Sequence, residues 1–100
     1  MLIYNTTYLI ADRKFGPWIK WLREIHIPFM LSCGFSNPLA AKILTADSEQ
    51  EGTSIAVQFQ IQNFQLLKIW DEENAEAILN DLSERFGSEV LSFATVMEML

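Results

Sequence analysis

Alternating apolar and polar residues form the clearest pattern in this chain, and the alternation is strongest in residues 53 to 62. Its apolar members are Ile55, Val57, Phe59 and Ile61, and the residues between them are Ala56, Gln58, Gln60 and Gln62. Successive side chains of a β-strand point to opposite faces, so this stretch predicts a strand with one face against a core. Residues 2 to 11, 38 to 46 and 89 to 97 are rich in strand-forming or small apolar residues and predict three more strands.

A first helical segment follows the first strand. Gly16-Pro17 opens it, because proline in the first turn of a helix loses no hydrogen bond. At 100° per residue, one face of this helix is predicted to face the core, and it consists of Trp18, Leu22, Ile25 and Phe29. The loop from Gly34 to Pro38, rich in glycine, serine, asparagine and proline, then ends the helix.

A second helical segment extends from Asn63 to Phe86. Asn63 is predicted to cap its amino terminus, and Gly87 is predicted to end it in the αL conformation. An unbroken helix of this length would reach about 36 Å, whereas a strand of eight to ten residues reaches about 26 to 33 Å. We therefore predict a bend or break between Asp71 and Asn74.

The predicted order of elements is β-α-β-β-α-β. The polar run from Asp47 to Gly52 separates the second and third strands and predicts a hairpin connection. This order is typical of an α+β, ferredoxin-like fold, in which two helices cover one face of a four-stranded antiparallel sheet. Because 100 residues suit one core but not two, we predict a single domain over residues 1 to 100.

Charge is nearly absent from the four predicted strands, which contain only Lys42 and Glu89. A sheet face in contact with water normally carries charged or strongly polar residues, and the two helices can cover only one face. The other face includes Ala56, Gln58 and Gln60, and we expect it to be covered by a second copy of the chain. The sequence therefore predicts a homodimer joined through the sheet.

Overall charge narrows the choice of partners. The chain has 13 acidic and 7 basic residues and a formal charge of −6, which disfavours binding to nucleic acids and to anionic membranes. Cys33 is the only cysteine and cannot form an internal disulfide. No apolar run approaches the roughly 20 residues needed to span a bilayer, and no signal peptide is visible. We expect a soluble, cytoplasmic protein.

His26 is the only histidine, and it is the candidate for a catalytic residue. Pro28 removes a helical hydrogen bond and disfavours helical geometry at Ile27, so we predict a kink there. The imidazole then either donates to a freed backbone carbonyl or faces a cavity. A dyad with Cys33 is not expected, since seven helical residues separate the two by about 10.5 Å. The acidic clusters lack metal-ligand spacing, and we predict neither a metal nor a cofactor.

Five residues are candidates for lining a ligand pocket between the sheet and the helices: Tyr4, Asn5, Thr7, His26 and Trp70. Phosphate-binding glycine motifs and the Gly-x-Ser-x-Gly elbow are absent, so nucleotide binding and α/β-hydrolase chemistry have no support. We interpret the chain as a non-catalytic small-ligand-binding or interaction domain. The alternative is a small oxygenase or isomerase with a pocket near His26 and Asn5, and the sequence does not decide whether the protein is an enzyme.

Several short motifs resemble one family of bacterial proteins. They are Ile3-Tyr4-Asn5-Thr6-Thr7, Trp21-Leu22, His26-Ile27-Pro28, Gly34, Glu51-Gly52-Thr53-Ser54, Gln58-Phe59 and Phe86-Gly87. The chain is identified by them as a member of the domain-of-unknown-function family number four-two-eight-six. The resemblance implies a ferredoxin-like fold similar to the dimeric α+β barrels, some of which are monooxygenases, and it implies no established activity. Phe29-Met30 departs from the family, in which an acidic residue is expected after the proline.

Overall fold

The computed structural model describes residues 1–44 and 52–100. Four strands form one antiparallel sheet in the order β2-β3-β1-β4: β1 is Leu2–Ile10, β2 is Ser36–Lys42, β3 is Thr53–Ile61 and β4 is Val90–Glu98. Helices separate β1 from β2 and β3 from β4, and they lie on one face of the sheet. This arrangement confirms the predicted ferredoxin-like fold, which is also the fold of the dimeric α+β barrels.

The strands agree with the predicted ones to within two residues, except at the end of β2. That strand begins at Ser36 and accommodates Pro38 at an irregularity in its pairing with β3, where the register shifts between Ser36 and Leu39. Proline donates no hydrogen bond, so it is tolerated at such a position on an edge strand. β2 and β3 pair in the antiparallel sense expected of a hairpin. The residues predicted to connect them, up to position 51, lie outside the described residues.

The apolar side of β3 faces the helices as predicted. Ile55, Val57, Phe59 and Ile61 are all buried and belong to one core with Tyr8, Ile10, Trp18 and Leu22. Fully burying a side chain of this size contributes about 1.5–3 kcal/mol, so these residues determine which face of the sheet receives the helices.

The first helix spans residues 15–32 and contains a π-helical turn. It consists of α1 (Phe15–Trp21), the π turn (Leu22–His26) and α2 (Ile27–Ser32). The backbone N–H of Ile27 donates to the carbonyl of Leu22, five residues earlier. Ile27 is helical (φ −61°, ψ −49°), so the predicted loss of helical geometry before Pro28 is wrong. The wider turn takes the place of the predicted kink.

The π turn also changes the buried face of the first helix. Four buried residues recur at every fourth position, Trp18, Leu22, His26 and Met30, and Trp21 is buried beside them. Ile25 and Phe29, which were predicted to face the core, are 43% and 36% exposed. Each turn of a π-helix holds more residues than an α-helical turn, so a wheel drawn at 100° per residue fails beyond Leu22.

The second helix, α3, runs unbroken from Phe64 to Phe86, so the predicted break is wrong. Its 23 residues extend about 34 Å, only slightly more than the roughly 30 Å of a nine-residue strand. The side chain of Asn63 accepts a hydrogen bond from the backbone N–H of Leu66 at 2.9 Å, which confirms the predicted cap. Gly87 has a positive φ of 58°, but its ψ of −139° is not that of the predicted αL conformation.

The face of the sheet opposite the helices, called the open face, carries no charged side chain within the four described strands. Lys42 pairs with Ile55 and Glu98 pairs with Leu2, so both belong to the helix side. The open face contains Ile3, Asn5, Thr7 and Leu9 of β1, Leu39 and Ala41 of β2, Ser54, Ala56, Gln58 and Gln60 of β3, and Leu91, Phe93, Thr95 and Met97 of β4. Leu39, Leu91 and Phe93 are 57%, 58% and 65% exposed.

Candidate functional site

A cleft of about 270 Å³ lies between α3 and the helix side of β1 and β4, and His26 and Met30 of the first helix close one end. Most of its wall is apolar and comes from Met30, Trp70, Ala75, Ile78, Leu82 and Ala94. Its polar groups come from Tyr4, Thr6, Tyr8, His26, Ser92 and Asp71. Small-molecule sites are typically apolar cavities with a few convergent polar groups, so this cleft is the candidate site.

The hydroxyl groups of the cleft belong to one row of the sheet. Tyr4, Thr6 and Tyr8 alternate along β1, and Ser92 of β4 lies opposite Tyr8. Burial raises the pKa of Tyr4 and of Tyr8, and the neighbouring hydroxyl of Thr6 offsets part of each shift. The carboxylate of Asp71 raises the pKa of Tyr4 further. Both phenols are therefore protonated at neutral pH and can donate hydrogen bonds to a ligand.

The π turn places His26 at the boundary between the core and the cleft. Its imidazole stacks on Trp21, with ring centroids 4.8 Å apart and planes at 14°, and meets the edge of Phe59 at 6.0 Å. The residue is 5% exposed, and burial lowers its pKa to about 4. Its imidazole donates no hydrogen bond to any described residue, so the predicted backbone carbonyl is absent there. His26 lies in a cavity wall as a neutral ring.

Trp70 also lies in the wall of the cleft. It contacts Tyr4 edge to face at 5.3 Å and Phe35 at 5.0 Å. Its indole N–H is buried and has no hydrogen-bond partner among residues 1–44 and 52–100. The structure therefore brings together three of the five predicted pocket residues, Tyr4, His26 and Trp70.

Asn5 and Thr7 lie elsewhere, on the open face of the sheet. The Asn5 amide donates to the Thr7 hydroxyl at 3.2 Å, and the sheet separates both side chains from the cleft. The single five-residue pocket predicted from the sequence is therefore split, because neighbouring residues of a strand point to opposite faces. The same alternation, applied to Tyr4, identifies the residues that the prediction missed, Thr6 and Tyr8.

The cysteine lies away from the cleft, and the described residues form neither a metal site nor a membrane-spanning helix. Cys33 does not line the cleft and lies partly buried near Gly34 and Ile61. In the described part of the chain, no three histidine, cysteine or acidic side chains are grouped closely enough to hold a metal ion. Likewise, none of its helices combines the length and apolar character needed for a membrane crossing.

Comparisons with solved structures find similar folds at low sequence identity. An ethyl tert-butyl ether D (EthD) family protein from Bacillus halodurans C-125 superposes with a TM-score of 0.71 at 11% identity, covering 100% of both chains. A protein from Deinococcus radiodurans, whose description proposes an antibiotic biosynthesis monooxygenase, gives 0.70 at 15% identity and covers 100% of this chain and 93% of its own. At these identities the likeness shows the fold alone.

A search of curated proteins finds no match. The sequence profile of one family, in contrast, matches the chain from residue 1 to residue 100. The motifs noted in the sequence point to the same family. The chain belongs to the family described as domain of unknown function (DUF4286).

Proposed function

We propose that this domain binds a small, neutral and largely apolar molecule in the cleft. One hydroxyl or carbonyl group of the ligand contacts the hydroxyl groups of Tyr4, Thr6 and Tyr8. The observation that carries the proposal is the grouping of three hydroxyl residues, Tyr4, Thr6 and Tyr8, with the neutral imidazole of His26 in an apolar cavity. These groups offer both donors and acceptors, while most of the surrounding wall offers apolar contact.

Charge supports a neutral ligand. No lysine or arginine is found among the described residues that line the cleft, and its one carboxylate, Asp71, is exposed at the rim. The chain as a whole carries a formal charge of −6. Burying an anion here would cost several kcal/mol without a partner to offset it. A ligand with no net charge avoids this cost.

A cleft-filling substitution tests the proposal. Neutral alcohols, phenols and ketones are screened by calorimetry and by the thermal shift of the intact protein. We expect Ala94→Trp, which adds an indole to the cleft wall, to weaken binding of every hit at least tenfold. Ser83→Trp adds the same side chain to an exposed position of α3 outside the cleft and should leave binding unchanged. Hits that bind both variants equally well would place the binding site elsewhere.

The second part of the proposal is that the domain homodimerises through its open face. On this face the exposed Leu39 of β2 lies beside the uncharged amide of Gln58, and the exposed Leu91 and Phe93 lie on β4, on the other side of β1. A continuous surface of this kind is typical of an interface, and its amides can pair where the same patch meets itself.

Light scattering at micromolar concentration tests the dimer. We expect a dimer for the wild type and a monomer for Gln58→Lys/Gln60→Lys, because like charges would face each other across the two-fold axis. The matched control, Gln62→Lys/Gln65→Lys, adds the same charge at exposed positions outside the strands and should stay dimeric. A monomeric wild type would contradict this part of the proposal.

The single cysteine and the negative charge fit a cytoplasmic protein with no nucleic-acid or membrane partner.

A catalytic role is the second candidate, favoured by the neutral imidazole that borders the cleft. In an oxygenase or isomerase, His26 would accept a proton from the bound substrate. Its pKa of about 4 makes it a weak base at neutral pH, and Asn5 lies on the opposite face of the sheet. Hits from the binding screen are incubated in air and analysed by chromatography coupled to mass spectrometry, which also separates an isomer of unchanged mass. A product formed by the wild type and lost in His26→Phe, with binding retained, would make the domain an enzyme.

A further inference from the structure

A second cavity, called the groove, lies between the first helix and α3 on the far side of His26. It has a volume of about 290 Å³. Its apolar lining comes from Trp21, Ile25, Phe29 and Ala77. Ile25 and Phe29 are the residues that the π turn moves out of the core, so the same backbone feature places His26 in the cleft and builds the groove.

Two residues, His26 and Ile78, line both the cleft and the groove. His26 comes from the first helix and Ile78 from α3, so each helix contributes one side chain to the boundary between the cavities. Ile78 is only partly buried and packs on the edge of the core. No other described residue lines both cavities, so this pair is the junction between them.

The polar groups of the two cavities differ in how far the protein itself satisfies them. In the groove, Asp81 accepts a hydrogen bond from the indole of Trp21 at 3.4 Å and pairs with Arg85 at 2.9 Å. Asn74 donates to the carbonyl of Trp70 at 3.2 Å. In the cleft, by contrast, the imidazole of His26 makes no hydrogen bond to any described residue, and the hydroxyl residues Tyr4, Thr6 and Ser92 line the wall. A ligand in the groove would therefore make mainly apolar contacts, whereas a ligand in the cleft would contribute a polar group.

We propose that the cleft and the groove form one elongated site for a neutral amphipathic molecule with a linear aliphatic tail. The polar end lies among the hydroxyls of the cleft, and the tail passes between His26 and Ile78 into the groove. His26 and Ile78 then determine specificity, because a tail that enters the groove from the cleft has to pass both side chains. This inference rests on the proposed function and adds the chemical class of its ligand.

A chain-length series tests the inference. Binding of 1-butanol, 1-hexanol and 1-octanol is measured by calorimetry on the wild type, on Ala77→Trp, and on Ser83→Trp as the control. Ala77 is exposed and lines the groove but not the cleft, so a tryptophan at this position fills the groove and leaves the cleft intact. Ile25→Trp fills the groove from the other helix and replaces Ala77→Trp if that variant fails to fold.

Affinity of the wild type and of Ser83→Trp should rise about fourfold per added methylene through the whole series, the factor that corresponds to about 0.8 kcal/mol. In Ala77→Trp we expect 1-butanol to bind as in the wild type, and 1-octanol to lose about 15-fold for each pair of methylenes excluded from the groove. An identical chain-length dependence in wild type and Ala77→Trp would overturn the elongated site and leave the cleft proposal standing. Failure of all three alcohols to bind the wild type would overturn both.

Discussion

Acidification should destabilise this protein through His26. The imidazole is buried against Trp21 and Phe59, and burial lowers its pKa from 6.5 to about 4. The unfolded chain therefore binds a proton near pH 6.5, whereas the folded protein binds it only near pH 4. The stability associated with the neutral imidazole is fully present above pH 6.5 and is lost as the pH falls towards 4.

The size of the effect follows from the two pKa values. The difference between a pKa of 6.5 and one of about 4 corresponds to about 3 kcal/mol when both protonation steps are complete. At pH 4.5 the imidazole of the folded state is still mostly unprotonated, and the expected loss of stability is about 2 to 3 kcal/mol. This is a large part of the 5–15 kcal/mol that typically stabilises a domain.

The comparison that isolates His26 is with His26→Phe, which retains a ring to stack on Trp21 but cannot titrate. Urea unfolding is followed by tryptophan fluorescence at pH 7.5, 6.5, 5.5 and 4.5 for both proteins. Glu89, whose pKa is lowered by hydrogen bonding to Arg13, also sensitises the protein to acid, but it does so equally in both. As the pH falls, the free energy of unfolding of the wild type should decrease relative to that of His26→Phe. Parallel pH profiles would refute a buried neutral imidazole.

Three further outcomes are expected. Gly52→Ala should lower the free energy of unfolding, measured in urea, by about 2–3 kcal/mol. The φ of Gly52 is 91°, and a Cβ at this position would lie 2.5 Å from the carbonyl oxygen of Ile10. Gly87→Ala, where a Cβ would meet nothing within 4 Å, should cost only about 1 kcal/mol. Asn63→Ala should cost about 1 kcal/mol by the same measurement through loss of the helix cap, and equal stability would contradict that role. Titration with haem or flavin should leave the absorbance spectrum unchanged, and a new band abolished by His26→Phe would contradict this.

Strand periodicity accounts for most of what the sequence predicts correctly. In β3 the alternation is strict, since every second residue from Ile55 to Ile61 is buried, so the pattern alone identifies the strand and its inner face. Adding two helical segments restricts the topology to a small number of folds. The scarcity of charge in the strands likewise predicts from the sequence alone that the open face is uncharged.

The candidate site was harder to predict, for two different reasons. Strand alternation places Asn5 and Thr7 on the face opposite Tyr4, so the pattern in the sequence is enough to separate these two residues from the predicted pocket. The contribution of α3 to the cleft, in contrast, depends on how that helix packs across β1 and β4. No local pattern specifies which of its side chains, such as Ile78, reach the first helix.

The π turn is the feature that sequence periodicity could not provide, and it determines the site. With α-helical geometry throughout, Ile25 and Phe29 would share the buried face with Leu22, and His26 would lie at its margin. The π turn instead buries His26 and Met30 and leaves Ile25 and Phe29 exposed. Exposing apolar side chains is unfavourable for the isolated domain, and π-helical turns are frequent at functional sites. In the proposed elongated site, an aliphatic ligand in the groove would cover those exposed residues again.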